Sequence, residues 1–179
     1  MNNNKKWEFA NVLIRIMTHR ELKDVTVREI CRECNSWPQI FYYHFKDKFD
    51  LVEWIYTQDI VAVCESNMDR PWREVLELAF ENLMSRKAFY MNAFRDESTN
   101  ALINFVNAFQ VELYGALIKR HEETIDDEMT FILNYHAFAC AEVTKRWLAD
   151  NSPVSPAQLT ESILNSMPEQ LQSLLNRTP

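Results

Sequence analysis

Residues 26–51 read TVREICRECNSWPQIFYYHFKDKFDL, and the way apolar positions alternate with turn signals in this stretch decides the fold. Thr26 offers a hydroxyl to the free backbone amides of a first turn, and Val27, Ile30, Cys31 and Cys34 follow at helical spacing on one face. Asn35 and Ser36 stop that helix, because Asn tolerates the left-handed backbone of a helix end and Ser caps the next start. Pro38 falls in the first turn of a second helix, where its missing amide hydrogen costs nothing. That helix runs through Ile40, Phe41, Tyr42, Tyr43 and His44 to Phe45. Two short helices joined by a tight turn predict a DNA-reading helix-turn-helix.

The rest of the chain predicts an all-α protein. It has 179 residues, 47% of them hydrophobic, which is enough for one or two small cores. A single Gly and no bounded run of alternating β-branched residues leave little room for a sheet. Trp7, Ala10, Leu13, Ile14 and Met17 mark a first helix over 3–19, with Lys5 and Lys6 at its free end, where they can reach a phosphate or simply be solvated. Asp47 caps a fourth helix through Leu51, Trp54 and Ile55. The expected domains are therefore 1–46, the helix-turn-helix head, and 47–179, a helical regulatory and dimerisation body.

Within the body, Asp69 is a cap candidate and Pro71 is tolerated in the first turn of a helix carrying Val75, Leu76, Ala79, Phe80 and Leu83. A shorter helix follows over 86–94, and Ser98 opens another with Leu102, Phe105, Val106, Phe109, Leu113 and Leu117. A long helix is expected over 126–150. Ser155 and Pro156 then start a final helix that Pro168 interrupts or kinks.

Charge is unevenly placed. The chain carries a net −7, yet up to Leu51 nine Lys and Arg stand against seven Asp and Glu, and the remainder has ten against nineteen. A weakly basic head on an acidic body is what a DNA-binding domain attached to a separate sensing body shows; a purely structural head can have the same small excess. No apolar stretch approaches the roughly 20 residues of a membrane span, and MNNNKKWEF lacks the apolar core of a signal peptide. A cytoplasmic chain with no membrane partner is expected.

Cys31 and Cys34 form a C-x-x-C, but no second Cys/His pair stands at ligand spacing and both fall on the apolar helix face, so they read as small core residues. No metal or cofactor is expected. A Gly-rich phosphate loop, an H-E-x-x-H and a nucleophile elbow are all absent, and the carboxylates of Glu122, Glu123 and 126–128 read as a solvated helix start, so an enzyme is not expected.

The run 26–30, then Phe41-Tyr42-Tyr43-His44-Phe45-Lys46-Asp47-Lys48, then Asp50-Leu51, resembles the signature of the tetracycline-repressor (TetR/AcrR) family of transcriptional regulators, without a gap. Phe89-Tyr90 to Phe94, followed by Asn100, is similar to the body of a subgroup that includes regulators of dihydroxyacetone kinase operons. The chain departs from the family pattern in the turn. Asn35, Ser36, Trp37, Pro38 and Gln39 replace the usual Gly, apolar residue, small cap and small or basic opening. Trp37 either faces the groove or folds back into the apolar slot that Ser36 vacates.

The resemblance implies a homodimer on a palindromic operator. Its DNA-binding set would be Thr26 and Arg28 on flanking phosphates, Trp37, Pro38, Gln39 and Ile40 at base edges, and Tyr42, Tyr43, His44 and Lys48 on phosphate or sugar. An effector pocket would draw on Tyr56, Phe89, Tyr90, Phe94, Phe105, Phe109, Tyr135 and His136, for a small molecule or, in its place, a partner protein. The last helices would pair across a two-fold through Ala137, Cys140, Ala141, Ile163, Leu164, Met167 and Leu171, although each of these also suits an intramolecular core. The rival reading is a coregulator of the same fold that has weakened DNA binding and acts by binding another protein.

Overall fold

The computed structural model describes residues 2–67, 70–95, 101–119, 124–151 and 154–175. Among them the chain is all-helical. The order is α1 (Asn2–Met17), a single 3-10 turn (Leu22–Asp24), α2 (Val27–Glu33), α3 (Pro38–His44), α4 (Lys48–Ser66), α5 (Trp72–Ser85) and α6 (Lys87–Phe94), then α7 (Ala101–Lys119), α8 (Asp127–Ala149), α9 (Pro156–Ser166) and α10 (Glu169–Leu175). The cap expected at Asp69, the helix opening at Ser98, Asn100 and the Glu122-Glu123 pair lie outside the described residues.

The chain divides into two compact units, residues 1–59 with 86–102, and residues 60–85 with 103–179. In the first, α2 packs on α1 and α3, and α6 packs on α1. Phe9, Leu13, Met17, Ile30, Phe41, Leu51, Ile55, Phe89 and Tyr90 form its shielded interior. The buried Asn92 side chain donates to the Met17 carbonyl at 2.7 Å, satisfying one of the acceptors that the end of α1 leaves open.

The turn between α2 and α3 is built from main-chain bonds. Thr26 accepts from the Glu29 amide at 3.2 Å and opens α2. At the other end Asn35 takes a left-handed backbone, φ 47°, so that the Asn35 amide reaches Arg32 O at 3.1 Å and the Ser36 amide reaches Cys31 O at 2.9 Å. This pair of bonds is the Schellman closure, with Asn where Gly is usual. The expectation that Ser36 caps α3 is corrected: the residue before α3 is Trp37, α3 has no side-chain cap bond, and the Ser36 amide closes α2. Asp47 caps α4 as its position predicts, accepting from the amides of Phe49 at 2.8 Å and Asp50 at 2.9 Å, while Asp50 accepts from the Lys46 amide at 2.7 Å.

In the second unit α5 packs along α9, and an Arg73–Glu161 ion pair joins them. Trp72 meets Tyr114, ring centroids 5.8 Å apart, and Phe80 meets Trp147 at 5.7 Å. Pro71 sits just ahead of α5, its carbonyl accepting from the Glu74 amide at 2.9 Å, one position earlier than expected. Ser155 and Gln158 form a reciprocal capping box at the start of α9, with Pro156 at its first position. Pro168 interrupts the last helix rather than kinking it, separating α9 from α10.

Candidate nucleic-acid interface

The helix α3 has two unlike faces. Phe41 is wholly buried, its ring 5.3 Å from Phe9 and 5.6 Å from Phe45. The other face is open to solvent: Trp37 is 75% exposed, Tyr42 59% and Tyr43 74%, with Gln39 and Ile40 exposed between them and Pro38 half-buried at the first position. Of the two readings open for Trp37, the folded-back one is therefore excluded, since an indole packed inside the motif would be shielded from water.

His44 is half-buried, its ring 4.9 Å from Tyr43 and 6.5 Å from Phe9. Burial lowers its pKa below the usual histidine value, and the nearby Lys6 and Lys5 lower it further, so the imidazole is neutral at pH 7. It can offer a hydrogen bond to DNA but no charge.

Most of the head's cations are engaged within the head. Lys5 pairs with Glu8 at 2.5 Å, Arg15 with Glu33 at 2.9 Å, Arg20 with Glu29 at 2.6 Å, and Lys23 with Glu21 at 2.7 Å. Lys6 lies 5.4 Å above the Phe45 ring and 5.5 Å above Trp54. Lys48 directs its ammonium at three main-chain oxygens, of Leu22 at 2.7 Å, Val25 at 2.9 Å and Lys23 at 3.2 Å. That matches the three donors an ammonium has. Arg28 and Lys46 are exposed and have no carboxylate at pairing distance among the described residues.

Of the C-x-x-C thiols, Cys31 is buried and Cys34 half-buried. Burial raises both, Cys34 to about 11, and the Cys34 thiol donates to the Glu8 carbonyl at 3.5 Å, tying α2 to α1. No cluster of His, Cys, Asp or Glu suited to a metal occurs among the described residues. Among them, too, no helix is long and apolar enough to cross a membrane.

The residues expected to line one effector pocket are divided. Tyr56, Phe89, Tyr90 and Phe94 are buried in the first unit, whereas Phe105, Phe109 and His136 belong to the second. Tyr135 faces solvent.

The residues expected at a two-fold interface lie inside the single chain. Ala137, Cys140, Ala141, Ile163, Leu164, Met167 and Leu171 are all buried within the chain itself, and Leu164, Met167 and Leu171 share one cluster with Tyr114, Ile118 and Leu133. The apolar side chains that α8 leaves open are Phe131 (69% exposed), Tyr135 (68%) and Phe138 (64%). Their spacing of four and three residues puts them on one helix face, and Phe131 and Tyr135 stack with centroids 6.2 Å apart. That spacing was visible in the sequence. It ran beside a second apolar stripe on the same helix, and periodicity alone does not say which stripe the chain covers itself.

Residues 70–169 match the TetR C-terminal family model described as "Transcriptional regulator C-terminal region". The chain is 24% identical over 134 residues to the HTH-type dhaKLM operon transcriptional activator DhaS of Lactococcus lactis subsp. lactis (strain IL1403), covering 73% of this chain and 72% of that protein. Among solved structures it is similar to a dihydroxyacetone kinase operon activator DhaS, with a TM-score of 0.67, 22% identity and 95% of each chain covered. A TetR transcriptional regulator from Streptococcus agalactiae 2603V gives a TM-score of 0.62 at 16% identity, covering 98% of this chain and 96% of that one.

Proposed function

Because this chain belongs to the TetR family of transcriptional regulators, we propose that it works as a homodimer that binds a palindromic operator through the exposed face of α3 and answers to an effector taken up by its body. The observation that carries this reading is the pairing of a closed core with an open face on one short helix. Phe41 is fully buried while Trp37, Gln39, Ile40, Tyr42 and Tyr43 remain exposed, an arrangement with no use to the head's own packing.

In this reading Trp37, Gln39 and Ile40 stand at base edges, where Gln39 suits adenine and the apolar pair suits a thymine methyl. Tyr42 and Tyr43 donate to phosphate or sugar, with Arg28, Thr26 and Lys46 on the flanking backbone. Lys48 acts indirectly, by holding the 3-10 turn against the start of α4. Residues 1–46 form the reading head, and the body pairs through the Phe131–Tyr135–Phe138 face with a second copy. The two recognition helices then lie roughly 34–36 Å apart, one turn of DNA. The relatives named as operon activators favour activation as the sign of control.

The test is fluorescence anisotropy of the purified chain on the DNA upstream of its own gene, against random duplex at two salt concentrations. Specific binding that weakens with salt but keeps its preference supports the regulator. Equal, feeble binding to both by a folded dimer favours the coregulator, a reading for which the neutralised cations of the head and the apolar Trp37 and Ile40 are the supporting observation.

A further inference from the structure

Two helices of the body face each other with polar side chains. Tyr114 on α7 stands beside His136 on α8, ring centroids 5.8 Å apart, while Ile118 and Leu133, both closer to the link between these helices, share one core cluster. The helices therefore run antiparallel. Two turns back along α7 from Tyr114 comes Asn107, and two turns onward along α8 from His136 comes Thr144, each about 10–12 Å from that contact at 1.5 Å per residue. One turn from it come Gln110 and Cys140. Cys140 lies within hydrogen-bond reach of Tyr114 and 3.3 Å from His136 Nε2, so the two stripes meet.

Several of these groups have no partner. Both ends of the Asn107 amide, Gln110 Oε1 and Thr144 Oγ1 are shielded from water and make no hydrogen bond among the described residues, and Thr160 Oγ1 on α9 is in the same condition. The Thr144 and Thr160 side chains are almost wholly buried. Buried polar atoms in folded proteins are nearly always paired, so Asn107, Gln110 and Thr144, unpaired on the two helices that meet at Tyr114 and His136, point to a partner that the chain itself does not supply.

We propose that the α7–α8 seam is the effector site of the body, and that it takes a small uncharged molecule bearing hydroxyl or carbonyl groups, bound by Asn107, Gln110 and Thr144. This rests on the regulator reading and gives its effector a chemistry. The seam offers amide and hydroxyl groups that both donate and accept, and neither stripe carries an Asp, Glu, Lys or Arg. Burial keeps His136 neutral and pushes the Cys140 thiol up to about 12, so no charge arises there at neutral pH. A carboxylate or ammonium would enter without a counter-charge, which a shielded site does not tolerate.

The test is a titration of the full chain, labelled at its threonine methyls and side-chain amides, followed by NMR. The neutral probes are glycerol and dihydroxyacetone; the charged ones are glycolate and ethanolamine. Saturable shifts at the Thr144 methyl and at the Asn107 and Gln110 amides with a neutral probe, and none with the charged pair, are expected. Asn107→Leu and Thr144→Val should each weaken binding about tenfold, Thr144 reporting for the first and the Asn107 amide for the second, and neither should lower Tm, because each removes an unpaired polar group. No saturable shift with either neutral probe, equal shifts with the charged pair, or binding unchanged in both variants overturns the proposal and leaves ordered water as the occupant. Operator binding measured on the same samples separates the failures: a chain that binds DNA but no probe overturns the seam alone, and one that binds neither overturns the regulator reading as well.

Discussion

The Tyr90 hydroxyl donates to Asp59 Oδ2 at 2.5 Å, in an interior where Tyr90 is fully buried and Asp59 is 3% exposed. Asp59 Oδ1 takes the Arg86 guanidinium at 2.5 Å, and that guanidinium lies 5.9 Å above the Trp7 ring. One carboxylate thus links α4 to α6 beneath α1. Burial raises its pKa above the usual Asp value, and the bonds from Tyr90 and Arg86 oppose that rise. With the folded value raised, the stability this group contributes is full below the ordinary Asp value and is lost as pH rises through the raised one. Tyr90→Phe removes a donor from the ionised carboxylate, so it should destabilise the chain by about 1–3 kcal/mol at pH 7. The gap from wild type should narrow as pH falls from 7 toward 3.8, the ordinary Asp value, where a neutral carboxyl needs the donor less. Thermal melts across that range check it; a gap that widens on acidification contradicts it.

Asn35 holds a left-handed backbone that Gly adopts without steric cost. Asn35→Gly should therefore stabilise the head by about 0.5–1 kcal/mol, a rise in Tm on the order of 2 °C for a chain of this size. Differential scanning calorimetry would show it, and a fall in Tm would mean that the Asn side chain holds a contact the main-chain geometry does not reveal.

Lys48 and Lys46 lie two residues apart and should behave oppositely. Lys48→Met deletes three bonds to main-chain oxygens and should cost about 2 kcal/mol of stability. Lys46→Ala, on an exposed side chain, should leave stability within about 0.5 kcal/mol. It should instead weaken binding to all duplexes alike and reduce the salt slope by about one. Urea melts beside DNA titrations separate the two effects. A salt slope that Lys46→Ala leaves unchanged removes Lys46 from the phosphate set.

On α8 the exposed and buried stripes also predict opposite outcomes. Tyr135→Glu with Phe138→Glu places charge on the open face and should give folded monomers by sedimentation velocity, whereas Ala141→Glu, at a position with no exposed surface, should fail to fold. A double variant that stays dimeric would move the interface elsewhere.

Much of this was legible in the sequence because it rests on local chemistry. The caps at Thr26, Asp47 and Ser155, the Asn35 turn and the break at Pro168 are short-range events, and each is found where the residues place it. What was not legible depends on tertiary packing. Ala137 and Phe138 are neighbours in sequence with equal claims to an interface, and only tertiary packing decides that Ala137 is buried and Phe138 open. Lys48 reads as a phosphate ligand until the 3-10 turn of Leu22–Asp24, which no periodicity announces, brings carbonyls to its ammonium. Asn107 and Gln110 resemble any polar residues on a helix until their side-chain atoms prove shielded from water.

If the open face of α3 reads base sequence, base-by-base substitution of the DNA site that the chain prefers shows it most directly. Affinity for every single-pair variant would be measured for wild type, Gln39→Ala and Trp37→Ala. Each substitution should erase the preference at one pair per half-site, with a discrimination of about 1–3 kcal/mol lost there and the other positions unchanged. Identical profiles for all three proteins would contradict the claim and leave α3 as a surface for another protein.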